Sequence, residues 1–261
     1  MEHELKFEAA YWGDCTNTFD EEQKHYVYAR CMGLNRKRLS FDVQNKRILD
    51  IGGGPVSMLL KTINLKEGKV CDPLRYPDWV YERYKIKKIM AAVTVGEEIT
   101  EADWDEVWIY NCLQHTVDPR RVIANARRAA PLLRIFEWID IPPHEGHPHM
   151  LTEPLLTEWL GQAGHVDDFK ESGCFGRAFY GVFKATQQPV PEECNPDRRM
   201  SEGTVLPSSS DSAGGPSGDL AGRTLDTRAD GPVSDVTSAP STPDPVVKGR
   251  RRKIRRVRSA S

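Results

Sequence analysis

The sequence predicts an α/β protein, and two observations support that prediction. Between about residues 46 and 187, short apolar segments that suit strands alternate with segments that suit helices. Alternation of this kind is typical of a mostly parallel sheet with helices on both faces. The first apolar segment also ends in a glycine turn, Gly52–Gly54, and the second ends in an acid, Asp72. We therefore predict a Rossmann-like sheet of seven strands, with the last strand antiparallel.

The strands and helices of this sheet can be assigned in order along the chain. The predicted strands are 46–51, 69–72, 86–91, 106–111, 132–138, 168–170 and 178–183. A helix is predicted over 55–62, where Pro55 suits a first helical turn, and another over 76–84. Asp118 followed by Pro119 predicts the cap and first turn of a third helix, and Thr152 predicts the cap of a helix ending near Leu160.

The chain divides into three segments by composition. Residues 1–45 are predicted to form a helical N-terminal flank or lid, residues 46–187 the Rossmann-like domain, and residues 188–261 a disordered tail. After residue 188, small and polar residues dominate and no Trp, Tyr or Phe occurs. Such a segment cannot bury enough apolar surface to offset its ordering entropy. The last fourteen residues carry eight Lys or Arg and no acid, so the tail ends in a basic cluster.

The aromatic side chains of the N-terminal flank leave two interpretations open. Tyr11, Trp12 and Phe19 suit a cover over a pocket beside the sheet. The alternative is that these rings only pack the flank onto the domain.

Net charge, hydropathy and cysteine spacing limit the cellular location and the kinds of partner that we expect. The formal net charge is −2 over the 261 residues. No apolar run approaches the roughly 18 residues that a membrane-spanning helix needs, so no membrane partner is expected. None of the six cysteines forms a C-x-x-C pair, and the first residues are polar and acidic. We expect a reducing, cytoplasmic location.

The glycine turn and the acid that follows it indicate a cofactor that contains adenosine. Glycine allows the backbone to come close to a bound ligand. A carboxylate at the tip of the neighbouring strand, Asp72, can accept hydrogen bonds from both ribose hydroxyls.

Three marks together resemble the class I S-adenosylmethionine-dependent methyltransferases, in their small-molecule branch. The first is Leu49–Gly54, similar to the family's acid-x-Gly-x-Gly turn, and the second is Asp72. The third is segment 105–119, in which a strand runs into a polar turn with a histidine, followed by Asp-Pro. Two features depart from the family pattern: Val56 stands where a third glycine is common, and Ala130-Pro131-Leu132 replaces a Pro-Gly-Gly turn.

The resemblance implies S-adenosylmethionine as the cofactor and a role for each matching residue. Glycines of the turn would approach the methionine end, Asp50 would orient the turn or reach the amino group through water, and Asp72 would bind the ribose. Glu97 would lie beside the adenine, or it is a solvated loop carboxylate. The cofactor-binding residues so implied are Asp50, Gly52, Gly53, Gly54, Asp72, Glu97 and Asn111.

Histidines after the fourth and fifth strands are the candidates for catalysis. His115 would be a general base, because its ordinary pKa lies near neutrality, or it only shapes the pocket wall. A loop after the fifth strand carries His144, His147 and His149, one of which would act as a base or orient the substrate. With Glu145 these three histidines offer an alternative as zinc ligands, but we predict no metal site.

We therefore predict a methyltransferase that moves a methyl group to an oxygen or nitrogen of a small-molecule acceptor. One alternative is a nucleic-acid methyltransferase that uses the basic tail, for which weak nucleic-acid contact is expected. Against it, Asn111-Cys112-Leu113-Gln114 stands where amino-methylating enzymes have Asn/Asp-Pro-Pro-aromatic. The other alternative is a binding protein that keeps the fold without catalysis.

Overall fold

A computed structural model describes residues 2–185 of the chain. The predicted disordered tail, with its basic cluster, lies outside the described residues. The helices are α1 (Glu2–Trp12), α2 (Phe19–Cys31), α3 (Asp78–Ile86), α4 (Pro119–Ala129) and α5 (Glu153–Leu160). The strands are β1 (Asn35–Lys37), β2 (Ser40–Ile51), β3 (Thr62–Asp72), β4 (Ile89–Val93), β5 (Glu106–Tyr110), β6 (Leu132–Trp138), β7 (His165–Glu171) and β8 (Cys174–Lys184).

One mixed sheet organises these elements, in the order β4-β3-β2-β5-β6-β8-β7. Every neighbouring pair from β4 to β6 is parallel. Strand β8 pairs antiparallel with both β6 and β7. These seven strands confirm the predicted fold class, including the antiparallel end. An additional strand, β1, pairs antiparallel with β2 outside this path.

Helices cover both faces of the sheet, because successive side chains of a strand point to opposite faces. On β2, Leu49 and Ile51 belong to one apolar core, which also contains buried side chains of α4 and α5. Ile48 belongs to the other core, with side chains of α2 and α3. The strand order places the carboxyl ends of β2, β3 and β5 next to one another, where a doubly wound sheet binds its ligands.

Helix α4 begins as the sequence predicts. The Asp118 carboxylate accepts a hydrogen bond from the Arg121 backbone amide (2.9 Å), and Pro119 follows in the first turn. Buried Val122 and Ile123 face the sheet. The cap of α5 is also the predicted Thr152, whose hydroxyl lies 3.5 Å from the Leu155 amide nitrogen.

The prediction of one helix over residues 55–62 is wrong. Two short 3₁₀ turns, Gly54–Val56 and Met58–Lys61, stand there, separated by Ser57 in an extended conformation (φ −42°, ψ 141°). The Ser57 hydroxyl donates to the buried Asp50 carboxylate and accepts from the Leu59 amide. Because these side-chain bonds hold Ser57 away from helical geometry, one continuous helix cannot form.

The predicted helical character of residues 1–45 is also wrong over its last part. Helix α2 ends at Cys31, and residues 35–45 form β1 and the first part of β2. Phe41 and Val43 are buried at alternate positions, which is the period of a strand. The interruption follows at Gln44 and Asn45, both with positive φ, where the pairing with β3 shifts register. That bulge separates the early strand from the predicted 46–51 segment.

Candidate functional site

A cavity of about 510 Å³ lies at the carboxyl ends of β2, β3 and β5. One part of its wall is formed by the strand ends and the turns that follow them. That part contains Gly52, Gly53, Gly54, Val56, Asp72, Val95, Gly96, Glu97, Asn111 and Cys112. A second part is formed by α1, α2, the end of β6 and the β7–β8 turn. The glycine turn and Asp72, which the sequence predicts to act together, thus share one cavity.

Glycine stands at the three positions of the turn for different physical reasons. Gly52 and Gly54 have φ of 72° and 62°, a region that L side chains rarely adopt. A Cβ on Gly52 would lie 2.1 Å from the Cys112 sulfur, and one on Gly53 would lie 2.6 Å from an Asp50 oxygen. These two glycines are therefore required by packing. At Gly54 the nearest atoms would be 3.8 Å away, on Trp12, which is ordinary van der Waals contact, so packing leaves room for a Cβ there.

Asp50 lies beneath the turn, and its side chain does not line the cavity. One carboxylate oxygen accepts from the hydroxyls of Ser57 and Tyr110, the latter at 2.6 Å. The other oxygen is buried and has no hydrogen-bond partner among the described residues. Burial raises the pKa of the Asp50 carboxyl to about 7, although the two hydroxyls oppose the shift. Asp50 supports the turn from below.

Asp72 joins the glycine turn to the end of β3. Its carboxylate accepts from the backbone amides of Gly54 (3.1 Å) and Leu74 (3.0 Å) and from the Tyr76 hydroxyl (2.8 Å). Burial raises the pKa of Asp72, and these donors oppose the rise. The side chain is only partly buried and lines the cavity. It is thus held in place with part of its surface open to a ligand.

Glu97 and Asn111 both line the cavity, and both also hold loops. One Glu97 oxygen accepts from the backbone amides of Val117 (2.8 Å) and Asp118 (3.0 Å), which fixes the approach to α4. Asn111 follows β5 with φ of 50°, and its side-chain oxygen accepts from Gln114 (2.9 Å).

The four predicted catalytic histidines lie in one region. Ring centroids are 4.4 Å apart for His115 and His147, and 4.2 Å apart for His144 and His147. His149 Nε2 lies 3.1 Å from the Val117 carbonyl. Of the four, His115 and His147 line the cavity. Burial lowers the pKa of His147 to about 4, with His115 and His144 adding to the shift, so His147 is neutral at physiological pH.

His115 has a partner that sequence reasoning missed. Its Nδ1 lies 2.6 Å from the Gly146 carbonyl and 3.1 Å from a Glu8 carboxylate oxygen. Burial alone would lower the pKa of His115, but Glu8 and the carbonyl outweigh it and raise the pKa. Since Nδ1 faces two acceptors, it carries the proton, and Nε2 is the acceptor of the neutral ring.

Glu137 of β6 holds the turn after β5. Its fully buried carboxylate accepts from the backbone amides of Cys112 (3.1 Å) and Leu113 (3.2 Å). Burial raises the pKa of Glu137 to about 8, against the effect of those amides. The turn that it fixes carries Asn111 on one side and His115 on the other.

Helix α1 lies over the cavity and contacts the histidine loop. Leu5, Glu8, Tyr11 and Trp12 line the cavity from this helix. Phe7 packs on Gly146 so closely that a Cβ there would lie 2.3 Å from the Phe7 ring. The apolar contact attaches the helix to the loop after β6, and the Glu8–His115 pair attaches it to the turn after β5.

Within residues 2–185, no group of three or more His, Cys, Asp or Glu side chains is arranged to hold a metal ion. No helix in that range is long and apolar enough to cross a membrane.

Comparisons with known proteins identify the fold. No family model and no curated sequence matches the chain. Among solved structures, the N-methyltransferase NodS from Bradyrhizobium japonicum, in complex with S-adenosyl-L-homocysteine, has a TM-score of 0.50 at 16% identity. The match covers 70% of this chain and 98% of NodS. A putative methyltransferase from Haloferax volcanii, in complex with the activator Trm112, also has a TM-score of 0.50, at 15% identity and the same coverage.

The chain therefore has the fold of the class I S-adenosylmethionine-dependent methyltransferases. This confirms the fold that the sequence resemblance implied.

Proposed function

We propose that this protein is an S-adenosylmethionine-dependent methyltransferase that acts on an oxygen or nitrogen of a small-molecule acceptor. The cofactor that the comparisons support is S-adenosylmethionine, since the structural neighbours include such enzymes and one holds the demethylated cofactor. The observation that carries the proposal is the hydrogen bond between Asp72 and the Gly54 amide, inside the cavity at the strand ends.

The residues present fit this cofactor. Gly54 lines the cavity, and a Cβ there would lie 3.8 Å or more from its nearest neighbours, so the backbone of this glycine can lie against a ligand. The Asp72 oxygen that accepts from Gly54 has further lone pairs for ribose hydroxyls. Glu97 and Asn111 would complete the part of the cavity formed by the strand ends and their turns, here called the cofactor half. Asp50, Gly52 and Gly53 support the turn. When bound, S-adenosylmethionine supplies a methyl group already activated by the positive sulfur.

The protein would supply positioning and a proton acceptor. His115 presents Nε2 as a base because Glu8 and the Gly146 carbonyl hold the proton on Nδ1. A carboxylate that orients the imidazole and stabilises its charged form is the usual support for a histidine base. His147 stays neutral beside it and shapes the wall, and the His144 ring packs against His147. His149 holds the loop through Val117.

Calorimetry with S-adenosyl-L-homocysteine tests the cofactor site. In Asp72→Asn the carboxylate is lost while the shape is kept, and hydrogen bonds to charged groups contribute about 1.5–3 kcal/mol. We expect at least about tenfold weaker binding. Asp168→Asn on exposed β7 is the matched control and should bind normally. Unchanged affinity in Asp72→Asn, or no binding by the parent protein, would contradict the proposal.

A further inference from the structure

We infer that the methyl acceptor is a planar, uncharged aromatic compound with a hydroxyl group, bound beside the cofactor half of the cavity. This inference rests on the proposed function and names its substrate class. The site, here called the aromatic compartment, is lined by Phe7, Tyr11, Trp12, Trp138 and Phe175.

Five aromatic side chains from three elements of the fold line this compartment. Phe7, Tyr11 and Trp12 come from α1, Trp138 ends β6, and Phe175 lies near the start of β8. Three of these rings are substantially exposed: Phe7 by 37%, Tyr11 by 52% and Phe175 by 74%. Exposed apolar surface that gathers around one opening marks a binding site rather than a scattered surface feature.

The two tryptophans of the compartment are each held by a neighbouring ring. Trp138 is only 9% exposed and is fixed edge-on against Phe136, with ring centroids 5.1 Å apart. Trp12 packs edge-on against Tyr11 at 5.0 Å and is the nearest side chain to the Cβ position of Gly54. A flat ring bound against Trp12 would therefore lie next to the glycine turn. Flat partners gain offset-stacked or edge-to-face contacts with such walls.

The charged groups in this half of the cavity are already paired. Lys24 Nζ lies 3.0 Å from a Glu21 carboxylate oxygen, and Glu8 pairs with His115. His25, which also lines the cavity, is neutral, because burial and the nearby Lys61 and Lys24 hold its pKa well below the usual range. A charged ligand would have to separate one of these pairs, so an uncharged acceptor fits better.

The proton acceptor at the edge of the compartment favours a hydroxyl over an amine. A phenolic hydroxyl has a pKa of about 10 and must lose its proton as it reacts, whereas a neutral amine can attack without a base. In the balanced step, the hydroxyl oxygen forms a bond to the methyl carbon and its proton passes to His115 Nε2. The carbon–sulfur bond breaks with both electrons remaining on sulfur, which leaves a neutral thioether.

The inference is tested by comparing two probes of the same skeleton, 2-naphthol and decahydro-2-naphthol, of which only the first is planar and aromatic. Binding to the full chain, saturated with S-adenosyl-L-homocysteine, is followed by tryptophan fluorescence and calorimetry. We expect 2-naphthol to bind at least about tenfold more tightly, because only a flat π-system can stack on the compartment walls. Equal affinities, or tighter binding of the saturated alcohol, would overturn the inference.

Two phenylalanines with similar exposure provide a matched pair of variants. Phe175→Ala removes a ring of the compartment, and Phe19→Ala removes a ring of 69% exposure that does not line the cavity. Because both rings are exposed, both variants should fold. We expect Phe175→Ala to weaken 2-naphthol binding about three- to tenfold and Phe19→Ala to leave it unchanged. Equal effects of the two substitutions would contradict the compartment.

A cationic probe and the cofactor measurement separate the remaining outcomes. Preferential binding of phenyltrimethylammonium over 2-naphthol would show recognition of a cation by the rings and would overturn the uncharged class. S-Adenosyl-L-homocysteine binding is measured alone beforehand. If S-adenosyl-L-homocysteine binds but the protein does not prefer 2-naphthol to decahydro-2-naphthol, only this inference fails. If S-adenosyl-L-homocysteine does not bind, the proposed function fails.

Discussion

At the scale of single residues, the contact between Glu8 and His115 connects the N-terminal helix to the proposed base. Glu8 raises the pKa of His115, so removing its charge should lower that pKa. We expect Glu8→Gln to move the acidic limb of the pH–rate profile, and the His115 titration measured by NMR, to lower pH. Glu158→Gln on exposed α5 is the control. An unmoved titration would exclude Glu8 as the positioning residue.

The glycines of the turn give a second prediction at this scale, because packing requires Gly52 whereas the approach of a ligand would require Gly54. Gly52→Ala would place a Cβ 2.1 Å from the Cys112 sulfur, so we expect about 2–4 kcal/mol loss of unfolding free energy. Gly54→Ala meets nothing closer than 3.8 Å and should lose only about 1–2 kcal/mol. Its methyl would instead obstruct the cofactor half and weaken S-adenosyl-L-homocysteine binding.

Urea denaturation and calorimetry on both glycine variants make that comparison. Equal stability losses, or normal ligand binding by Gly54→Ala, would show that the ligand does not approach the backbone at Gly54.

Burial of Asp50 predicts how stability depends on pH. Its pKa is about 7 in the folded protein, above the ordinary value of 3.8, so the folded state holds a proton that the unfolded state releases. The stability that this proton provides is present below about pH 4 and is lost as the pH rises toward 7. Asp50→Asn should flatten this fall in unfolding free energy, measured by urea denaturation between pH 4 and 7. An unchanged slope would contradict the assignment.

At the scale of elements, local sequence predicts those whose pattern and caps agree. Asp118 with Pro119 fixes the start of α4, and the same pairing of cap and apolar stripe is visible in the sequence. The helix predicted from Pro55 fails because the buried bond from Ser57 to Asp50 joins residues of different elements. The β1–β2 hairpin was missed because its alternation at Phe41 and Val43 is short and ends in a bulge.

The candidate site also contains residues that local sequence predicts and residues that it does not. Asp72 and the glycine turn are predictable because each directly follows a strand whose carboxyl end must lie at one edge of the sheet. Glu8 and Phe175 are not predictable in this way, because the docking of α1 and the position of the β7–β8 turn depend on tertiary contacts. No local signal in the sequence distinguishes Glu8 from its exposed neighbours.

At the scale of the whole molecule, the cavity-lining residues that the structure describes all lie between Leu5 and Phe175. A chain truncated after residue 190 therefore keeps every described wall of the site. We expect it to bind S-adenosyl-L-homocysteine and to turn over a small acceptor as the full chain does. Loss of turnover on truncation, or activity only on nucleic acid with the basic tail present, would favour the nucleic-acid alternative.

The attachment of α1 has a consequence for how a catalytic cycle would be ordered. This one helix provides three walls of the aromatic compartment and also the carboxylate that fixes the imidazole tautomer. If the helix moved away to exchange small molecules, the ring would lose its orienting anion in the same movement. Reactant entry and proton removal would then be mutually exclusive in time, and water admitted during exchange would meet an imidazole that is not yet oriented as a base.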